Sequence, residues 1–243
     1  MAAKRWVALT VLNLGRAKNF PSVASNVLAA LVLASTTVAV WPSPWMLGVG
    51  VAAGCLIYAG GATFNDVADA EFDAKHKPER TIPSGVISKR GAVRLAAIEM
   101  GLGSGLVIGV GAVWGWVAAL GATILAYDWI HKKWIGSVVL MAGCRVLLAC
   151  TLATLPNHAM TPAFLGWVGA LFAYIVALSL IARWEYKPGA PAAKIGKSVG
   201  RLLAFIPLID AIALLLVGAW IPALACALAI PLGRWAQRLA AAT

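Results

Sequence analysis

Residues 65–73 of the chain read NDVADAEFD, and this short acidic segment is the part of the sequence best suited to chemistry. In a helix, at about 100° per residue, four of its side chains fall within about 100° of one another. These four are Asn65, Asp66, Asp69 and Asp73. Glu71 falls on the other side of the helix. Carboxylates that share one face repel one another, so the segment predicts a bound cation.

Magnesium is the expected cation, because all the ligands are hard oxygens and no cluster of Cys or His lies nearby in the sequence. Such sites hold Mg²⁺ by one or two carboxylates together with phosphate oxygens of the substrate. The next segment, KHKPERTIPSG at residues 75–85, adds positive charge through Lys75, Lys77 and Arg80. Metal and basic side chains together predict a diphosphate site. A second interpretation stays open, in which these bases merely pair with the carboxylates at a solvated helix end.

The elements that must position this segment are membrane-spanning helices. Hydrophobic residues make up 61% of the 243 residues and charged residues only 12%, whereas a soluble domain has roughly 45–50% and about 25%. The apolar residues form blocks of about 18 to 24, the length needed to cross a bilayer. The four cysteines lie inside these blocks, which favours free thiols over disulfides. Residues 1–243 are therefore predicted to form one multi-pass membrane domain.

We predict an all-α membrane protein, a bundle of about eight transmembrane helices. The predicted helices cover, to within about two to four residues, 20–41, 46–70, 91–112, 117–131, 135–155, 163–184, 201–218 and 221–240. Lys and Arg occupy the loops on one side of this bundle, and the opposite loops hold none. This asymmetry predicts that both termini face the cytoplasm. We expect a protein of the bacterial inner (plasma) membrane with its active site on the cytoplasmic side.

The net charge of +11 could indicate nucleic acid binding. Its placement on one side of a membrane bundle favours the lipid bilayer instead, so no nucleic acid partner is expected. Tryptophans near the predicted helix ends are typical of interfacial belts. Three glycines at four-residue spacing predict close packing of the third helix against a neighbour: Gly101, Gly105 and Gly109.

Ionisable side chains inside predicted helices are expensive and usually face the bundle interior. Glu99, Arg145 and Asp210 occupy such positions. Arg145 is expected to meet Asp210 or Glu99. A structural ion pair and a contact to substrate both remain open for it.

The acidic segment and the basic loop ending ERTIPSG at residue 85 resemble the first signature of the UbiA superfamily of intramembrane prenyltransferases. That signature is N-D-x-x-D-x-x-x-D, followed by a loop ending R-P-L-P-S-G or similar. The stretch LGRAKNFPSVASNVLAALVLA at residues 14–34 is similar to the family's first helix, with polar residues at Arg16, Asn19 and Asn26. The resemblance runs from residue 14 to about residue 218.

Later segments match the family less closely. YDWIHKKW resembles the family's Y-P-x-x-K-R segment through Tyr127 and Lys132, and KIGKS at residues 194–198 resembles G-x-K-S. Relatives place a second acidic cluster, D-x-x-x-D, after the sixth helix, whereas ARWEYKPG at residues 182–189 has Glu185 as its only carboxylate. The start NFPSVASN, the GCR of the fifth predicted helix and this ARWE resemble a divergent, EboC-like branch of the superfamily.

The resemblance implies Mg²⁺-dependent transfer of an isoprenyl group from a prenyl diphosphate to a hydrophobic acceptor, expected to be aromatic, within the membrane. It makes Asp66, Asp69 and Asp73 the catalytic metal ligands. The expected substrate contacts are Asn65, Lys75, Arg80, Tyr127, Lys132, Arg145, Arg183, Glu185, Lys194 and Lys197, with Arg16, Asn19 and Asn26 of the first helix. Two alternatives remain: a non-catalytic carrier or assembly protein for a hydrophobic small molecule, and a terpene cyclase, both on the same fold.

Overall fold

The computed structural model of the chain describes residues 10–36, 41–184 and 192–241. These residues form a helical bundle, and within them the β-structure is a single isolated bridge between Ser35 and His158. A 3-10 turn, Ala17–Asn19, leads into the first helix. The helices are α1 (Phe20–Leu33), α2 (Pro44–His76), α3 (Lys89–Gly109), α4 (Trp114–Ile130), α5 (Ser137–Leu152), α6 (Pro162–Arg183), α7 (Ala192–Ala204), α8 (Ile206–Leu216) and α9 (Trp220–Ala241).

The predicted all-α membrane fold is confirmed, and each predicted helix has a counterpart in the bundle. Two boundaries differ in ways that matter. The second helix runs to His76 and so contains the whole acidic segment. The seventh predicted helix is divided at Phe205, because Pro207 occupies the first turn of α8 and has no backbone N–H to donate.

The acidic segment lies beyond the part of α2 that a bilayer needs. Ser43 caps the start of α2, where its side chain accepts a hydrogen bond from the Met46 backbone N–H at 3.2 Å. The helix has 33 residues, which gives a length of about 50 Å against a hydrocarbon core of about 30 Å. Its last turns therefore place the acidic segment at one end of the bundle.

The outer surface of the bundle is apolar. By length and composition, four stretches of the described residues could cross a membrane: α2, α3, α6 and Ser198–Leu216, which joins the end of α7 to α8. Large side chains such as Leu216, 83% exposed, face outward. Many tryptophans near helix ends are also exposed: Trp45, Trp114, Trp129, Trp184, Trp220 and Trp235. Such a surface is typical of a protein surrounded by lipid, with aromatic side chains at the interfaces.

Helices α2 and α3 approach closely at two glycines. A Cβ at Gly60 would lie 2.9 Å from the Ala96 carbonyl oxygen, and one at Gly103 would lie 2.8 Å from the Ala53 carbonyl oxygen. The absence of a side chain at both positions lets the backbones touch. The predicted packing stripe was wrong, since open space lies beside Gly101, Gly105 and Gly109. Glycines at four-residue spacing share one face of α3, but the spacing does not show which face of α3 packs against α2.

Helix α1 is the central element of the bundle. It packs against α2, α5, α6, α8 and α9, and its side chains at Val23, Val27 and Leu31 are almost completely buried. The 3-10 turn before α1 packs against α1 and α9. Arg16, directly before this turn, reaches the acidic segment of α2 with its side chain.

Candidate functional site

The acidic face of α2, formed by Asn65, Asp66, Asp69 and Asp73, points into the protein. Asp69 is 8% exposed and Asp73 is 3% exposed, although both lie near the end of the helix. The Glu71 side chain is 92% exposed and pairs only loosely with Lys89, at 3.6 Å. This one-sided burial agrees with the helical angles expected from the sequence.

Two arginines from different parts of the chain hold Asp66 between them. Arg16 donates from Nη2 to Asn65 Oδ1 at 2.9 Å and to Asp66 Oδ1 at 3.0 Å. Arg80, in the loop after α2, donates from Nη1 to Asp73 Oδ2 at 2.8 Å and lies 3.6 Å from Asp66 Oδ1. Arg16 adopts a left-handed backbone with φ of 49°, which is uncommon for a residue other than glycine. That conformation turns the chain from the preceding segment into the 3-10 turn.

The end of α4 supplies the cations that meet Asp69. Lys132 Nζ lies 2.7 Å from Asp69 Oδ1, and His131 Nε2 lies 3.1 Å from the same oxygen. Burial alone lowers the pKa of His131, but the hydrogen bond and charge of Asp69 outweigh it and raise this pKa above its ordinary value. Tyr127 stacks on His131, with ring centroids 5.1 Å apart. Lys132 also lies over the Phe72 ring, 3.8 Å from its centroid.

Asp128 joins the site from α4, although the sequence analysis did not select it. Asn65 donates from Nδ2 to Asp128 Oδ1 at 3.1 Å. The other carboxylate oxygen of Asp128 is buried and, within the described part of the chain, has no hydrogen-bond partner. Sequence reasoning also missed His131. One signal was available for Asp128, because it is the only charged residue of α4 and ionisable residues in apolar helices usually have a function.

A buried polar network lies deeper in the bundle, between α1, α5, α6 and α8. Asp210, fully buried, accepts hydrogen bonds from Ser25 at 2.6 Å and from Asn26 and Trp167 at 2.8 to 2.9 Å. Arg145 donates to Asn26 Oδ1 at 2.6 Å. Arg145 therefore meets Asp210 through Asn26.

Tyr58 lies between this network and the acidic face. It is seven residues before Asn65 and so shares its side of α2. Asn19 donates to the Tyr58 hydroxyl at 2.8 Å, and the Arg145 guanidinium lies 5.1 Å from the Tyr58 ring centroid. Glu99, the other expected partner of Arg145, instead accepts a hydrogen bond from Thr63 at 3.3 Å.

Five further expected substrate contacts lie away from the acidic face or are not described. Arg183 donates to the carbonyl oxygens of His131 and Trp134 and to Ser137 Oγ, at 2.5 to 2.9 Å, and so holds the turn between α4 and α5. Lys75 is exposed and takes no part in the ion pairs of the acidic face. Lys194 and Lys197 lie in α7, but the placement of their side chains is not described, and Glu185 lies outside the described residues.

The carboxylate oxygens of the acidic face suit Mg²⁺ only when oxygens from a bound phosphate and from water complete the coordination of the metal. Within the described residues, no group of three or more Asp, Glu, His and Cys side chains is arranged to hold a metal ion. Each aspartate is instead paired with a base. Mg²⁺ normally takes one or two carboxylates, with phosphate and water oxygens as the remaining ligands. The hard oxygens and the unpaired, buried oxygen of Asp128 fit that requirement, and the surrounding bases fit a diphosphate.

Known proteins share this sequence pattern and this fold. The UbiA prenyltransferase family pattern matches residues 23–242. A digeranylgeranylglyceryl phosphate synthase from Ignicoccus hospitalis is 36% identical over 117 residues, which are 48% of this chain and 36% of that protein. A 4-hydroxybenzoate octaprenyltransferase from Pectobacterium carotovorum is 34% identical over 109 residues, which are 42% of this chain and 37% of that protein. The chain thus aligns with little more than a third of the length of these relatives.

Two solved structures have a similar arrangement of helices. A structure of digeranylgeranylglyceryl phosphate synthase superposes with a TM-score of 0.62 at 17% identity, covering 94% of this chain and 92% of that one. A UbiA homologue from Archaeoglobus fulgidus, bound to DMAPP and Mg²⁺, superposes with a TM-score of 0.53 at 14% identity, covering 92% of this chain and 85% of that one. Identities this low establish likeness of fold alone. Because the family pattern spans residues 23–242, almost the whole chain, this protein belongs to the UbiA prenyltransferase family.

Proposed function

We propose that the protein transfers an isoprenyl group from a prenyl diphosphate to a hydrophobic, aromatic acceptor within the membrane, in a reaction that depends on Mg²⁺. One observation carries this proposal. Three separate parts of the chain, the turn before α1, the loop after α2 and the end of α4, each aim a basic side chain at the acidic face. A solvated helix end has no need of such convergence, whereas a diphosphate with its metal does.

In the proposed complex the acidic residues bind the metal and the basic residues bind the diphosphate. Asp66, Asp69 and Asp73 would hold Mg²⁺, with Asn65 beside them, and the metal would neutralise charge that develops on the leaving diphosphate. Arg16, Arg80 and Lys132 are placed to exchange their carboxylate partners for phosphate oxygens, and arginine can grip two oxygens at once.

The chemical step breaks the bond between the first prenyl carbon and the diphosphate oxygen. A carbon–carbon bond to the aromatic ring forms, and the ring loses a proton to the released diphosphate. The diphosphate leaves with the electron pair of the broken bond. The prenyl chain needs an apolar environment that keeps water from trapping the electron-poor carbon. Two tyrosines lie near the site: Tyr127 stacks on His131, and Tyr58 lies beside Arg145. An aromatic face favours positive charge.

We place the site on the cytoplasmic side of a bacterial inner membrane. The charge asymmetry of the loops supports this orientation, with both termini in the cytoplasm. A site open to water also suits the diphosphate, which leaves the membrane after transfer. We assign residues 1–243 to one domain.

A carrier without catalytic activity is the second candidate function. Each aspartate of the acidic face already has a basic partner. These bases compensate the negative charge of the aspartates without a metal. A carrier would bind a hydrophobic molecule without releasing diphosphate. A cyclase on the same fold would release diphosphate without needing an acceptor.

Diphosphate release separates these three functions. The protein, purified in lipid nanodiscs, is incubated with Mg²⁺ and prenyl diphosphates of increasing length, with and without aromatic acceptors. A transferase releases diphosphate in proportion to prenylated acceptor, and Asp69→Asn abolishes both. Glu71→Gln, an exposed change on the same helix, serves as the matched control and should retain full activity. Release without an acceptor would indicate a cyclase, and binding without release in every condition would favour the carrier.

A further inference from the structure

The Asp128 carboxylate is buried, and its hydrogen bond to Asn65 does not explain why a charged group is placed there. Asp128 is 8% exposed, and one carboxylate oxygen accepts the Asn65 amide while the other has no partner within the described residues. Orienting an amide requires a single acceptor oxygen, which asparagine would supply without a charge. A buried carboxylate oxygen without a donor is destabilising. Its retention therefore needs another reason.

The surroundings of Asp128 connect it to the acidic face. Asn65 gives its amide nitrogen to Asp128 and its carbonyl oxygen to Arg16, which also holds Asp66. About one turn further along the chain, just past the end of α4, His131 and Lys132 meet Asp69. Asp128 thus lies across from α2, within the same group of charges, and nothing in that group of described residues donates to its second oxygen.

We propose that Asp128 is a further carboxylate ligand of the divalent cation at the acidic face, contributed by α4 opposite the aspartates of α2. The inference rests on the proposed function, because it assumes that a cation and a diphosphate occupy this face. A divalent cation supplies the partner that the second oxygen lacks, and carboxylate oxygens are the ligands that Mg²⁺ prefers. Asp128 also ties the metal to the end of α4, whose Lys132 is placed to contact the diphosphate.

Cation affinity tests this role without depending on turnover. Mn²⁺ replaces Mg²⁺ as a paramagnetic probe, and its binding to the full chain in nanodiscs is titrated by electron paramagnetic resonance with inorganic diphosphate present. Asp128→Asn keeps the shape and the acceptor for Asn65 but removes the charge. We expect its Mn²⁺ affinity to fall at least tenfold. Glu99→Gln, which also neutralises a buried carboxylate but lies outside the site, should bind Mn²⁺ as the wild type does.

Two further measurements distinguish a ligand from a structural residue. The metal-free Asp128→Asn protein should unfold at the same temperature as the wild type or at a higher one, since an unpaired buried charge has been removed. Asp128→Cys should bind Cd²⁺ more tightly relative to Mn²⁺ than the wild type does, because thiolate favours the softer metal. This gain of Cd²⁺ preference can be measured even if the asparagine variant does not fold.

Unchanged Mn²⁺ affinity in Asp128→Asn, or an unchanged preference between Cd²⁺ and Mn²⁺ in Asp128→Cys, would overturn the inference and leave the proposed function standing. Failure of the wild-type protein to bind Mn²⁺ with diphosphate would overturn both.

Discussion

Each aspartate of the acidic face is paired with a base from another part of the chain. Asp73 is the most deeply buried of them, and Arg80 is its partner at 2.8 Å. Arg80 also reaches toward Asp66, so one guanidinium serves two carboxylates. A diphosphate at this position would compete with the aspartates for the same basic side chains. Binding of the prenyl diphosphate would therefore rearrange these ion pairs.

Replacing Arg80 should therefore weaken binding of a prenyl diphosphate. Losing one charge-assisted contact lowers affinity by about tenfold to a hundredfold, which calorimetry with a thiolodiphosphate analogue and Mg²⁺ would measure for Arg80→Ala. Lys75→Ala removes an exposed positive charge from the end of α2 and should change affinity by less than about threefold. Equal losses in the two variants would mean that general charge, rather than a directed contact, attracts the diphosphate.

The buried polar network gives a second prediction at this scale. Asp210→Ala would leave Ser25, Asn26 and Trp167 without their shared acceptor. Unpaired buried donors cost about 1 to 3 kcal/mol each, and we expect a loss of at least about 3 kcal/mol in the free energy of unfolding. Denaturation in mixed detergent micelles measures this loss. A loss smaller than that of Glu99→Gln would show that the network contributes little to stability.

Helix positions follow from the apolar blocks of the sequence, while contacts between helices do not. The blocks predicted where each helix lies, and the one-sided aspartates of α2 followed from helical angle alone. The meeting of Asn65 with Asp128 could not be predicted, because it depends on how α2 and α4 pack. The position of Arg183 at the turn after α4, rather than at the acidic face, likewise depends on packing.

The crossing of α2 and α3 offers a direct test of that packing. A Cβ at Gly103 would lie 2.7 Å from Ile57 Cγ1 and 2.8 Å from a backbone oxygen, whereas open space lies beside Gly101. We expect Gly103→Ala to destabilise the protein by about 1 to 3 kcal/mol through overpacking, measured by unfolding in detergent. Gly101→Ala should be neutral or slightly stabilising, since alanine favours a helix over glycine. If Gly101→Ala were the more destabilising change, a different face of α3 would have to pack against α2.

The distribution of charge along the chain predicts the orientation of the protein in the membrane. In the predicted topology the basic loops and the acidic face lie on the same side of the membrane, so both are expected in the cytoplasm. Fusion of a reporter to the C-terminus tests this orientation. A cytoplasmic fluorescent reporter should be active and a periplasmic phosphatase inactive. Phosphatase activity would put the site on the outer side and reverse the proposed topology.

The proposed function requires that the acidic face of α2 bind a prenyl diphosphate through Mg²⁺. Equilibrium binding of a prenyl thiolodiphosphate to the wild type, Asp69→Ala and Glu71→Ala, with and without Mg²⁺, tests this requirement. These aspartate and glutamate residues are two positions apart on one helix, but Asp69 is buried and Glu71 is exposed. We predict that Asp69→Ala abolishes the Mg²⁺-dependent part of binding and that Glu71→Ala leaves it unchanged. Equal affinities in all three proteins, or binding that ignores Mg²⁺, would contradict the account.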